Sequence, residues 1–244
     1  MPRVLIVGKT KKKKKQRCVG ALSLRDNRSY RLLTSDGCDF PADTAFNLGQ
    51  VWELDLLADS NAARPHTEDH RISRQRYVRT LSMSELKQYL HDLVSAPTVV
   101  PRQLFDGKLS YAQNKRAFIW PGTKGLNYST GFWRFSKALH LCRAQYGRLR
   151  YTYCENDISC DLDDDDLELD VPYVGCEPPI DEIPAGTLLR FSLARWEGKP
   201  CYLMLSGWFL DNDANASKSS RKANTKYSSR YNSLLELLRK ARDG

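Results

Sequence analysis

Apolar runs of only a few residues, each closed by a turn signal, fill the first eighty positions of this chain. That punctuation favours short strands over long helices. Val4-Leu5-Ile6-Val7 is rich in β-branched residues and ends at Gly8, the pattern of a buried strand. Lys11 to Arg17 forms a polar, basic connection to a second run, Cys18 to Leu24, which stops at the Asp26-Asn27 turn signal. Ser29 to Thr34 alternates in polarity up to a turn at Ser35-Asp36-Gly37, and Val51 to Leu56 alternates apolar with acidic residues, as a half-buried strand does. A further run from Ile72 to Val78 completes a set of five, which predicts a small barrel or sandwich over residues 1–80.

Residues 81–145 read as a helix followed by an aromatic-rich connector. Ser82-Met83-Ser84-Glu85 is a capping box, Leu86, Leu90, Leu93 and Val94 follow at helical spacing, and Pro97 bars continuation. A second β set is expected over 146–210, from Arg148 to Tyr153, Asp157 to Leu162, Thr187 to Leu193 and Cys201 to Phe209. Asp211 to Ser229 is almost without apolar residues and reads as a linker to a terminal amphipathic helix carrying Tyr231, Leu234, Leu235 and Leu238. The seven cysteines are odd in number and contain no C-x-x-C, which argues for free thiols rather than a disulfide framework or a common zinc site.

The net charge of +9 is unevenly placed: residues 1–150 and the tail are basic, whereas 151–210 are acidic. A basic surface of that extent attracts polyanions through Coulomb attraction and counterion release. No run of about 18 apolar residues exists, so no transmembrane helix is predicted. The opening apolar run is too short for a signal peptide, and the expectation is a soluble cytoplasmic protein without membrane contact.

Several motifs invite a chemical reading. Gly8-Lys9-Thr10 after a strand has the end of a P-loop, but Arg3 stands where the other glycine is required and another strand follows in place of a helix. Lys11 to Lys15 joins the first two strands, a loop that in small barrels frames an oligonucleotide groove. His66, Glu68 and His70, at alternate positions beside Asp69, would share a face if extended and are the low-ranking candidates for a metal or acid–base site; hydrogen bonding to backbone amides is the plainer role. Asp161 to Asp170 holds seven acids, a solvated loop or an internal competitor for the basic face. Tyr128, Trp133 and Phe135, flanked by Lys124, Arg134 and Lys137, are candidates for base stacking, although core packing is the default for most aromatic rings. No Ser-His-Asp or Cys-His arrangement is legible by spacing, and no cofactor is expected.

Beyond these local patterns, an ordered set of blocks resembles the bacterial dual OB-containing domain family. The blocks are Val4 to Thr10, Cys18 to Ala21, Arg31 to Leu33, Leu48 to Glu53, Pro65 to Asp69, Tyr128 to Trp133, Leu188 to Trp196 and Leu205 to Phe209. The resemblance implies two OB-like barrels, and it brings no activity with it. The expected architecture is therefore mostly β: two small OB-like barrels joined by a helix and an aromatic-rich connector, then a linker and C-terminal helix at 211–244. The expected function is non-catalytic binding of single-stranded DNA or RNA with little sequence preference. Lys9, Lys11, Lys12, Lys13, Lys14, Lys15, Arg17, Arg31, Lys124 and Arg134 would hold phosphates, and Tyr128, Trp133 or Phe135 would stack. Two alternatives stand beside it: docking of a protein partner through residues 230–242, and metal-dependent catalysis by His66, Glu68, Asp69 and His70.

Overall fold

The computed structural model describes residues 1–12, 15–143, 148–154, 167–195 and 198–210. Six strands and one helix form the first unit: β1 (Arg3–Lys11), β2 (Gln16–Ser23), β3 (Ser29–Leu33), β4 (Phe40–Pro41), β5 (Gln50–Ala58), β6 (Asp69–Thr80) and α1 (Met83–Leu93). β1 pairs antiparallel with both β2 and β5, β5 with β6, and β2 with β3; the parallel pairing of β3 with β6 closes the ring. This is the five-stranded OB order. Inward positions fill the barrel with Val4, Ile6, Val19, Ala21, Leu32, Phe46, Trp52, Leu54 and Ile72. β1 runs past Gly8 to Lys11, farther than its apolar run, because Gly8 to Lys11 pair with Gly20 to Arg17 beyond a bulge at Ile6/Gly8.

Helix α1 begins at the expected capping box: Glu85 N–H donates to Ser82 Oγ at 3.2 Å, and Ser82 N–H donates to Glu85 Oε2 at 2.7 Å. Its buried face, Leu86, Tyr89 and Leu90, covers Leu5, Val7, Leu22 and Val51 of the first barrel together with Phe132, Leu188 and Phe209 of the second. One apolar layer is thus shared by both units.

The second unit contains β7 (Thr98–Val99), α2 (Leu104–Gly107), β8 (Ser110–Tyr111), β9 (Ala117–Ile119), β10 (Thr130–Phe135), β11 (Leu139–Arg143), β12 (Leu149–Cys154), β13 (Leu167–Pro172), β14 (Glu182–Ile183), β15 (Leu188–Leu193) and β16 (Cys201–Phe209). β10 pairs with β15 and β15 with β16; β11 pairs with β12 and β12 with β13. Taking β10 and β11 as one interrupted strand, the order matches the first barrel. Its closure is reduced to a single parallel bridge, Tyr173 to Leu205, immediately beyond β13. The first strand of the second barrel therefore lies at Thr130–Phe135, inside the stretch that reads in the sequence as connector. A run whose three aromatic residues stand at 132, 133 and 135 reads poorly as alternation, and two of its rings (Trp133 and Phe135) pack on Tyr151, Tyr153 and Phe191 in the second core. The six cysteines within the described residues form no disulfide with one another. No helix among the described residues is long and apolar enough to cross a membrane. Most of the acidic run, Lys13, Lys14 and the segment 211–244 with its expected helix lie outside the described residues.

Candidate functional site

Two loops usually frame the ligand groove of an OB barrel, those joining its first to second and fourth to fifth strands. In the first barrel these are the lysine loop after β1 and the segment Asp59 to Glu68 before β6. Here the second barrel sits over that end. Thr10 bridges to Gly175, and Lys11 N–H donates to Val174 O at 2.8 Å.

The histidine–carboxylate cluster forms the polar part of this seam. The Glu68 carboxylate, 5% exposed, accepts from the backbone N–H groups of Ser129 and Thr130 and from Ser129 Oγ–H at 3.0 Å, all at the start of β10. Burial pushes the Glu68 carboxyl upward, while these donors pull it back. Thr67 Oγ1–H donates to Asn127 O beside it. His70 Nδ1–H donates to the Glu68 carbonyl at 3.0 Å, and its ring meets Tyr30 edge-on at 4.8 Å. Glu68 and His70 thus have separate structural partners. Among the described residues no group of three His, Cys, Asp or Glu side chains is arranged to hold a metal ion.

Asp69 is the centre of a charge ladder. The parallel β3–β6 register sets Arg31 opposite Asp69, and Arg31 Nη1 meets Asp69 Oδ2 at 2.9 Å. Arg195, from just beyond β15, meets the same oxygen at 2.6 Å and donates from Nη2 to Asn61 O at 2.7 Å. Arg31 Nη2 also meets Asp39 at 2.7 Å; Asp39 pairs with Lys12, and Asp59 pairs with Arg71 at 2.7 Å. Desolvation opposes the Arg31 charge, but Cys18, Asp69 and Asp39 around it hold the guanidinium protonated. Burial pushes the Asp69 carboxyl up against the pull of Arg31 and Arg195. The ladder crosses from one barrel to the other through Arg195.

Between the barrels lies a cavity of about 160 Å³. Its wall includes five cations (Lys11, Lys12, Arg31, Arg190 and Arg195), together with His66 and the hydroxyl residues Thr10, Ser129, Thr130 and Ser192. Among the described residues no carboxylate lines it. Arg190 was not among the expected site residues: one arginine within the apolar run Leu188 to Leu193 gives no sequence signal beyond its mismatch with that run. It is 4% exposed, and its guanidinium lies against Gly8 and Gly20, where a Cβ would fall 2.8 and 2.3 Å from its nitrogens. Glycine at both positions makes that approach feasible.

The outward face of β16 extends the site. Met204 lines the cavity, while Leu203 and Leu205 point into the core. Tyr202, two residues along, shares the outward face by strand alternation. Its ring lies 5.7 Å from Phe118, which meets Trp120 edge-on at 5.6 Å, and Arg116 sits 4.5 Å over the Tyr202 ring. Trp120 is 55% exposed. A second recess, of about 470 Å³, is bordered by Arg28, Ser29, Thr67, Asn127 and Tyr128.

The other expected site residues are dispersed. Lys11 and Lys15 are exposed, Lys9 donates to Asn47 Oδ1 at 2.9 Å, and Arg17 donates to Gln16 O at 2.9 Å. Lys124 is exposed, and Arg134 donates to Gly186 O. Trp133 and Phe135 are buried in the second core, where neither ring offers a face to a base. Tyr128 is half-buried and stacked on Phe105 at 5.5 Å.

A family model described as "Dual OB-containing domain" matches residues 2–208. No curated protein matches the chain. One solved structure, titled "Structure of murine DNA binding protein bound with ds DNA", is similar at 12% identity, covering 82% of this chain and 91% of that one with a TM-score of 0.29. A likeness at that score bears on neither mechanism nor ligand.

Proposed function

The chain belongs to the dual OB-containing domain family, and from that premise we propose that it is a non-catalytic nucleic-acid-binding protein that takes single strands with little sequence preference. The observation that carries this reading is the outward side of β16, where alternation sets Met204 of the cavity wall two residues from Tyr202. It leads from the cations around the interbarrel cavity to the Tyr202–Phe118–Trp120 rings with Arg116 over them. Cations that hold phosphates, beside rings that stack on any base, are the two components of sequence-tolerant single-strand binding. Lys11, Lys12, Lys15 and Arg17 hold the backbone electrostatically. Trp120, and Tyr128 at its own recess, take the stacking role for which Trp133 and Phe135 are too deeply buried.

The test is a fluorescence-anisotropy titration with single-stranded and duplex DNA and RNA across a range of salt concentrations. Log affinity falls linearly with log salt, and replacing Lys11 to Lys15 by glutamine flattens the slope by roughly 0.7 for each single-strand phosphate that is no longer neutralised. Trp120→Ala weakens single-strand binding by about 1–3 kcal/mol if one base stacks there. Affinity indifferent to salt, or a duplex bound more tightly than the single strand, overturns the reading.

A further inference from the structure

Arg190 has no carboxylate within ion-pair distance among the described residues. Its Nη1–H donates to Ser206 Oγ at 3.0 Å, and its Nε–H has no hydrogen-bond partner among the described residues. Glu68 acts on this guanidinium from beyond ion-pair distance, and burying an arginine that completely without a contacting counter-charge is expensive. Across the same cavity His66, 5% exposed, also leaves Nε2 without a partner. Two buried polar groups without partners on the wall of one cavity, with further cations around it, present donors and positive charge to whatever enters it.

We propose that the interbarrel cavity binds a phosphate-class oxyanion, with Arg190 as its principal ligand and Arg31, Arg195, Lys12 and His66 around it. The cations approach from different places in the fold: Arg31 from β3, Arg190 from within β15, Arg195 from just beyond that strand, and Lys12 from the lysine loop. That spread suits a tetrahedral anion better than a planar carboxylate, which a single guanidinium satisfies with two parallel bonds. Asp39 and Asp69 hold Arg31 and Arg195 from outside the lining, so these two arginines are oriented before any ligand arrives. The hydroxyls of Thr10 and Ser192 supply neutral donors. At about 160 Å³ the cavity is smaller than the roughly 300–1,000 Å³ that encloses a drug-sized molecule. It takes an inorganic oxyanion, or a terminal phosphate whose remaining atoms stay outside. The site does not depend on the nucleic-acid reading, since a free ion satisfies it without any polymer.

The full chain tests this by thermal unfolding and calorimetry in sodium phosphate against sodium chloride at matched ionic strength. Phosphate gives a saturable, one-to-one stabilisation that chloride does not. Arg190→Met abolishes that response, and the variant unfolds at the same or a higher temperature than the parent in chloride, because an uncompensated buried charge is gone. Arg190→Lys, which keeps the charge and loses the fork, weakens phosphate binding at least tenfold. If Arg190→Met fails to fold, protection of Cys18, which lines the cavity, against alkylation by iodoacetamide is read in the parent by peptide mapping: phosphate slows it and chloride does not. A 5′-phosphorylated and an unphosphorylated oligonucleotide of one sequence separate the sources. Tighter binding of the first, lost in Arg190→Met, assigns a terminal phosphate; equal binding alongside a phosphate response assigns the free ion. No saturable phosphate response and no advantage of the phosphorylated strand overturn the proposal. An unphosphorylated strand that fails to bind overturns only the polymer reading.

Discussion

Removing the Glu68 carboxylate is the most direct perturbation of the seam between the barrels. In Glu68→Ala the N–H groups of Ser129 and Thr130, at residues 1% and 9% exposed, lose their acceptor. Each orphaned buried donor costs about 1–3 kcal/mol, while the hydroxyl of Ser129 is free to turn elsewhere. Against this, the desolvation that pushes Glu68 upward is recovered when the carboxylate leaves. The balance is a loss of about 3 kcal/mol, a large share of the 5–15 kcal/mol that holds a typical domain together. Urea unfolding followed by tryptophan fluorescence reads it in both units, since Trp52 reports on the first core and Trp133 on the second. With a slope near 2–3 kcal/mol per molar, the midpoint falls by about 1–1.5 M, and the two barrels part into separate transitions. Glu68→Gln retains an oxygen for the two backbone donors and loses about 1 kcal/mol. The reasoning fails if Glu68→Ala unfolds within 0.5 kcal/mol of the parent, taken as roughly the size of an ordinary surface substitution, or if Glu68→Gln is equally damaging.

Burial, and then the charges of Arg31, Arg195 and Lys12, hold His66 neutral with its pKa pulled down to about 3. A proton therefore binds the unfolded chain first as pH falls below about 6.5, so stability drops on the acid side, by about 2 kcal/mol at pH 5. His66→Gln removes that difference, and equal urea midpoint shifts between pH 7.5 and pH 5 for parent and variant contradict the account. Gly20→Ala drives a Cβ into the Arg190 guanidinium and costs about 1–3 kcal/mol by overpacking. The cost is smaller in an Arg190→Met background, as a double-mutant cycle measures; strict additivity argues against the contact.

Much of the first barrel was legible because its determinants are local. Alternation in Val51 to Leu56 and the turn at Asp26-Asn27 mark strands and corners without knowledge of the rest, and Ser82 with Glu85 marks the helix start. The second barrel was harder to read because its first strand, Thr130 to Phe135, is buried on both sides: Phe132 faces the layer shared with α1, whereas Trp133 and Phe135 face the core. Period two is lost from such a strand, and its rings read as a stacking surface. The expected bonding to backbone amides holds for Glu68, whereas Asp69 takes guanidinium partners and His66 Nε2 none among the described residues, and the sequence did not show who the partners were. Asp69 meets Arg195 across 126 positions and Glu68 meets Ser129 across 61, distances over which one sequence carries no pairing signal. Arg190 was invisible for the same reason, since its significance depends on glycines at positions 8 and 20.

The shared layer beneath α1 and the ladder through Arg195 have a consequence for the covalent link between the halves. Ser95 and Pro97 are exposed where the chain leaves the helix; Val94 and Ala96 beside them pack against the shared layer, but the ladder through Arg195 is written in side chains remote in sequence from that crossing. A chain cleaved there keeps the ladder through Arg195 and the Glu68 contacts to Ser129 and Thr130. Two separately expressed pieces meeting at that point are therefore expected to reassemble by fragment complementation, with the helix travelling on the N-terminal piece as the docking key.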